Sequence, residues 1–197
     1  VSSLDVLLDD QIFLMHARGG ISRYFAELLR EFDADPSLGV NALTSVRYSP
    51  NQHLRAVDPS VRNLPFRELS TGWKVSKRLA RYPSAVIAGR LAPDVVHWTY
   101  YDPAYLKRFP GVPKVVTVHD MVPEQLPPEL VDDEVHLAKR AFVEAADAII
   151  CVSAATRDAL FATWGPIADR PVTVIGHGVG APFRPDGPDA RFDYRSL

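Results

Sequence analysis

Short apolar runs alternate with longer amphipathic segments along this chain, the pattern of strands wound between helices. Leu4–Asp9 (L-D-V-L-L-D) reads as a first strand and Gln11–Arg18 as a loop leading to Gly19-Gly20. A helix follows at once, because Ile21, Tyr24, Phe25, Leu28, Leu29 and Phe32 recur at i, i+3, i+4, i+7, i+8 and i+11 and form one stripe. Arg23, Glu27, Arg30 and Glu31 take the other face, with Arg23 and Glu27 spaced to pair. Gly39–Arg47 is a second strand and Ser49–Arg62 a polar connection, with a short strand around Asn63–Phe66. Trp73–Leu91 is helical, with Val75, Leu79, Tyr82 and Val86 on one side and Pro83 kinking or dividing it.

Asp94–Trp98 is a buried strand that opens into an aromatic loop, Thr99–Tyr105. The stretch Lys114–Pro123 (K-V-V-T-V-H-D-M-V-P) is the clearest strand: Val115, Val116, Thr117 and Val118 favour β structure, and Pro123 keeps it from continuing. After a Pro-rich loop, Pro123–Pro128, comes a helix over Asp132–Ala146 with Leu137, Ala141, Phe142 and Ala145 turned inward. Asp147–Val152 is a strand, and Ser153 caps a helix over Ala154–Trp164 that Gly165-Pro166 ends. Pro171–Ile175 is the last strand, followed by a turn at His177–Gly180, and Pro182–Leu197 has no apolar period. With no hairpin signals between the strands, the fold class is α/β, a parallel sheet wound on both sides.

Composition narrows the function classes. The 197 residues carry a net charge of −2, which gives no basic surface for nucleic acid. Cys151, the single cysteine, excludes an intrachain disulfide and a cysteine metal site; it reads as a small buried residue in a reducing, cytoplasmic setting. The longest stretch free of Asp, Glu, Lys and Arg, Pro171–Phe183, is 13 residues. A spanning helix needs ~20 apolar residues. The chain starts at Val1 and not at Met, which points to numbering that begins inside a longer chain.

Candidate chemistry sits where an open parallel sheet binds ligands, at the carboxyl ends of its strands. His119 and Asp120 close the Lys114–Pro123 strand there, and Tyr100 and Tyr101 occupy the neighbouring aromatic loop, where they either stack on a sugar or cover the core. Gly19 and Gly20, between a strand and a helix start, make either a tight turn or a cradle in which backbone N–H groups meet an anion. Lys74, Lys77, Arg78 and Arg81 line one helix face, either as a solvated stripe or as a dock for anionic lipid. Asp33-Ala34-Asp35 has the D-x-D form of a metal site but follows a helix and precedes Pro36, which favours a turn. The six histidines lack H-x-x-x-H or H-E-x-x-H spacing, so no metal is expected. G-x-G-x-x-G and G-x-S-x-G are absent, which argues against a dinucleotide reductase or a serine hydrolase.

Five stretches in this order resemble one family. Gly19-Gly20-Ile21-Ser22-Arg23-Tyr24, Asp94-Val95-Val96-His97, Val116-Thr117-Val118-His119-Asp120 with Pro123, Ala148-Ile149-Ile150-Cys151-Val152-Ser153 with Thr156-Arg157, and Val174-Ile175-Gly176-His177-Gly178-Val179 are similar to the Gly-Gly loop and strand ends of retaining glycosyltransferases of the GT-B type, family 4. The resemblance implies a Rossmann-like domain over residues 1–183, binding mostly the acceptor, and a linker over 184–197 toward a carboxyl-terminal nucleotide-sugar domain that this sequence lacks. It implies transfer of a sugar, with mannose from GDP-mannose as first candidate, to a glycan or lipid-linked hydroxyl. The domain would be inactive alone, need no cofactor, and be cytoplasmic, meeting the membrane peripherally through the Lys74–Arg81 helix. By the same resemblance Gly19 and Gly20 hold the donor diphosphate and His119 positions the donor sugar. Asp120 either orients His119, accepts from the acceptor hydroxyl, or is a structural N-cap; Arg23 either meets an anion or pairs with Glu27. Tyr100 and Tyr101 are the acceptor-loop candidates. His177 and Gly180 replace the Asn and Asp usual in the family's turn. The alternative is a non-catalytic binding or assembly module with the same fold.

Overall fold

Strand β1 (Leu4–Leu8) sits between β2 (Val40–Thr44) and β3 (Val95–Trp98), and β4 (Lys114–Val118), β5 (Ala148–Cys151) and β6 (Val172–Val174) follow outward. This is a computed structural model, and it describes residues 3–63, 86–126, 138–167 and 169–178. Among the described residues all five pairings are parallel, in the order β2-β1-β3-β4-β5-β6. From β1 to β2 the chain steps one way across the sheet; from β3 to β6 it steps the other way. Right-handed crossovers therefore put the connecting helices on opposite faces, and the direction reverses between β1 and β3.

Ring contacts show the two layers. On one face α2 (Gly20–Ala34) sets Phe25 against His97, 5.1 Å between ring centres. On the other, Phe142 of α5 (Lys139–Ala145) lies 4.8 Å from the next residue of β3, Trp98. Successive strand residues point to opposite faces, so these two contacts alone require a sheet covered on both sides. Phe25 and Phe142 are both fully buried, and each such burial contributes ~1.5–3 kcal/mol.

Local chemistry sets the element ends. Ser153 accepts from the Thr156 N–H at 3.0 Å and starts α6 (Ala154–Trp164), which ends at Gly165 with φ of 79°. The expected loop over Gln11–Arg18 contains a short helix, α1 (Gln11–Met15), because Ile12, Phe13 and Leu14 can all be buried only if the chain turns there. The polar connection Ser49–Arg62 likewise holds α3 (Gln52–Val57), capped by Asn51 and anchored by buried Leu54. In the expected Pro123–Pro128 loop, Val122–Gln125 is a helical turn, α4, with Pro123 in its first positions. In α5, Ala141 and Ala145 face solvent, against expectation, and the buried face is Lys139, Phe142 and Val143. The strand expected around Asn63–Phe66, apart from Asn63, and the Lys74–Arg81 stripe lie outside the described residues.

Candidate active site

Strand β4 runs past its neighbour: Val116 is the last residue paired with β3, and Thr117 and Val118 pair only with β5. His119 thus projects at the carboxyl end of the sheet, on the face shared with Thr117 and α2. Its ring is packed edge-on by Tyr24 at 5.3 Å and Phe25 at 6.0 Å, both from the start of α2, and lies parallel to the His177 ring at 5.9 Å. Tyr24 also stands edge-on to His177 at 5.2 Å. The Nε2 atom of His119 is buried and has no hydrogen-bond partner among the described residues. Burial first, then the neighbouring His177 and Lys139, lower the His119 pKa to about 4 against the opposing pull of Asp120. At neutral pH this imidazole is uncharged.

Behind it, His97 Nε2 bonds the Thr117 hydroxyl at 2.8 Å, and burial, with His119 adding to it, lowers the His97 pKa to about 3. Burial raises the Tyr24 phenol pKa, with the Thr117 side chain pulling the other way.

The two glycines stand at the start of α2, the helix that packs on His119. Gly19 caps it and Gly20 is its first residue; both are exposed. Gly19 has φ of 171°, an extended backbone open to any residue. A Cβ on Gly20 would meet nothing within 4 Å, and one on Gly19 would meet only the Ser22 hydroxyl at 3.7 Å. The fold itself therefore does not require glycine at either position. What the two leave is bare backbone at a helix N-terminus.

The segment leading into them is held firmly. Asp9, buried at the end of β1, bonds the Thr99 hydroxyl at 2.5 Å, the Thr99 N–H at 3.1 Å and the Gln11 amide at 2.6 Å. Gln11 in turn accepts from the Asp102 N–H at 2.7 Å. Farther on, Ser49 bonds the Phe13 carbonyl, Asn51 the His16 carbonyl and the Gln52 N–H the Ala17 carbonyl. Burial, helped by Asp10, raises the Asp9 pKa to about 7 in spite of the bonds from Thr99 and Gln11. This knot lies at the reversal point between β1 and β3, and sequence reading missed it. The rule that singled out His119, a polar residue just past a buried strand, applies equally to Asp9.

Of the other residues singled out, Asp120 accepts from the Val122 N–H at 3.1 Å in a turn just ahead of α4, whose N-cap is Met121 and not Asp120. Arg23 is exposed and lies 3.9 Å from Glu27, the helix-pair alternative. Tyr100 and Tyr101 are 6 % and 3 % exposed, so of the two alternatives the geometry gives core cover. Their rings lie 5.1 Å apart, and Tyr101 meets Phe142 at 5.9 Å, on the face of the sheet opposite the His119 ring. Cys151 is buried, and burial pushes its thiol pKa up to about 11.

Two clefts, of about 310 and 280 Å³, lie at the amino ends of the strands, around Val40 and Asn41 and around Lys114 and Asp147, away from His119. Among the described residues no group of three His, Cys, Asp or Glu is placed to hold a metal ion, and no helix is long and apolar enough to cross a membrane. The arrangement around His119 offers a neutral, directional hydrogen-bonding group beside a bare helix N-terminus. A family model described as Glycosyltransferase Family 4 matches residues 18–181. No curated protein matches the chain.

Proposed function

The chain belongs to Glycosyltransferase Family 4, and from that premise we propose that it is the acceptor-side domain of a retaining GT-B enzyme. In this reading the enzyme breaks the bond between a donor sugar and its nucleoside diphosphate, and delivers the sugar to an acceptor hydroxyl with its anomeric configuration kept. Mannose from GDP-mannose is the first candidate donor, and a glycan or a lipid-linked sugar the acceptor. Residues 1–183 form the acceptor-side domain and 184–197 lead toward a donor-binding domain, so that 1–197 alone transfers little or no sugar. The enzyme would work on the cytoplasmic side of a membrane, with Lys74, Lys77, Arg78 and Arg81 meeting anionic headgroups.

The observation that carries the proposal is the buried Nε2 of His119 at the carboxyl end of β4, without a hydrogen-bond partner among the described residues. Buried polar atoms are bonded in the great majority of cases, and an orphan at a strand end is one that a ligand can satisfy. A neutral His119 would hold a sugar hydroxyl in place; it would not act as a nucleophile. Gly19 and Gly20 would turn backbone N–H groups toward the diphosphate, where the helix N-terminus stabilises the charge that develops as it leaves. Arg23, one turn into α2, would add a cation to the same region. Asp120 would act through the turn it opens.

The test is to incubate the full-length protein with a panel of nucleotide sugars, measuring free nucleoside diphosphate and the anomeric configuration of the product by NMR. One donor turned over with retention is the expected result. Tight glycan or protein binding with no donor turned over would replace it with the non-catalytic module.

A further inference from the structure

A lysine ammonium withdrawn from water costs several kcal/mol unless it is well bonded. Lys139 stands one turn before Phe142 on the buried face of α5, and its side chain is 1 % exposed. The ammonium meets Glu124 Oε2 at 2.9 Å, the Asp120 carbonyl at 3.0 Å and Asp120 Oδ1 at 3.9 Å. It also lies 5.7 Å from the centre of the Tyr101 ring. Tyr101 reaches the same strand end from the loop after β3. Its hydroxyl donates to the Thr117 carbonyl at 3.0 Å. Two neighbouring side chains therefore grip the backbone at Thr117 and Asp120, on either side of His119.

The grip comes from the Phe142 side of the sheet, whereas the His119 ring lies on the Phe25 side. Neither Tyr101 nor Lys139 can meet a sugar bound at Nε2; Tyr101 acts on it through the backbone, and Lys139 through the backbone and its charge. We propose that Tyr101 and Lys139 are the positioning residues of the site, clamping the peptides on either side of His119 so that its imidazole meets the donor sugar at a fixed place. The proposal rests on His119 as the donor contact. A hydrogen bond to a reacting sugar is directional, and a displacement of ~1 Å at such a group costs up to about a hundredfold in rate.

In the full-length enzyme, Tyr101→Phe removes one oxygen and keeps the ring. Lys139→Met combined with Glu124→Gln removes the charge pair without leaving a buried carboxylate alone. Each should lower kcat at saturating donor by about tenfold, leave the donor KM within about twofold, and have no further effect on kcat when added to His119→Ala. A purely structural role would lower the melting temperature and leave kcat per folded molecule unchanged. The ring resonances of His119, read by NMR without donor, should shift or broaden in both variants. Wild-type kcat in the clamp variants beside an inactive His119→Ala overturns this proposal alone, as does an unchanged His119 spectrum. Wild-type kcat in His119→Ala itself overturns the donor-contact reading and the clamp's catalytic role with it. Should the charge-pair variant fail to fold, Tyr101→Phe decides.

Discussion

Acidification should destabilise this fold with a slope set by three buried groups at the strand ends. His97 and His119 have pKa values lowered from 6.5 to about 3 and about 4. Between about pH 4 and 6.5, then, the unfolded chain binds a proton at each and the fold does not, so stability falls as pH falls. Asp9 works the other way: raised from 3.8 to about 7, it is protonated in the fold while the unfolded chain has released the proton, so it adds stability as pH falls through that interval. Two protons against one leave a net of about one, or a loss of ~1.4 kcal/mol per pH unit. The assay is urea unfolding at a series of pH values from 4.5 to 6, taken as approximate bounds of the window. Comparing variants cancels the ordinary carboxylates. Asp9→Asn should steepen the slope to ~2.7 kcal/mol per unit, and His97→Gln should flatten it to nearly zero. If Asp9→Asn left the slope unchanged or flattened it, Asp9 would be ionised in the fold and the electrostatics of the strand ends would be misread.

Two further substitutions separate ligand contact from folding. Gly20→Ala places a methyl where nothing lies within 4 Å, so it should keep or raise stability, by up to about 1 kcal/mol, while raising the donor KM; a donor KM equal to wild type would remove the diphosphate cradle. Arg23→Ala loses only an exposed pair at 3.9 Å, so stability should change by less than about 0.5 kcal/mol, measured by thermal unfolding, and a fall in donor affinity would assign Arg23 to the anion.

The parts of the fold that sequence reading captured are those where apolar periodicity decides the outcome. Valine-rich β4 and the stripe from Ile21 to Phe32 each have one way to bury their side chains. Periodicity fails where polar groups are buried with partners. Lys139 was not among the residues expected to turn inward, and the phase of α5 was misjudged, because no apolar rule anticipates an ammonium held by Glu124 and the Asp120 carbonyl. Gln11–Met15 looked like a loop because five residues are too few to show a helical period. At the site, His119 and the glycines were legible from their places after a strand and before a helix. Tyr100 and Tyr101 were placed in the correct loop, but whether an aromatic loop residue turns inward depends on Phe142, which lies far away in sequence. His177 was noticed as a departure from the family's turn; its stacking on His119 depends on how far β4 and β6 extend, which local sequence does not set.

The central claim is that His119 holds the donor sugar. Its most direct measurement is the rate of nucleoside diphosphate release by the full-length enzyme and by His119→Ala, both at saturating donor and acceptor, with matching circular dichroism spectra. The account predicts a loss of about a hundredfold or more in the variant. A rate within about twofold of wild type would contradict it, and would leave the buried Nε2 of His119 without a function.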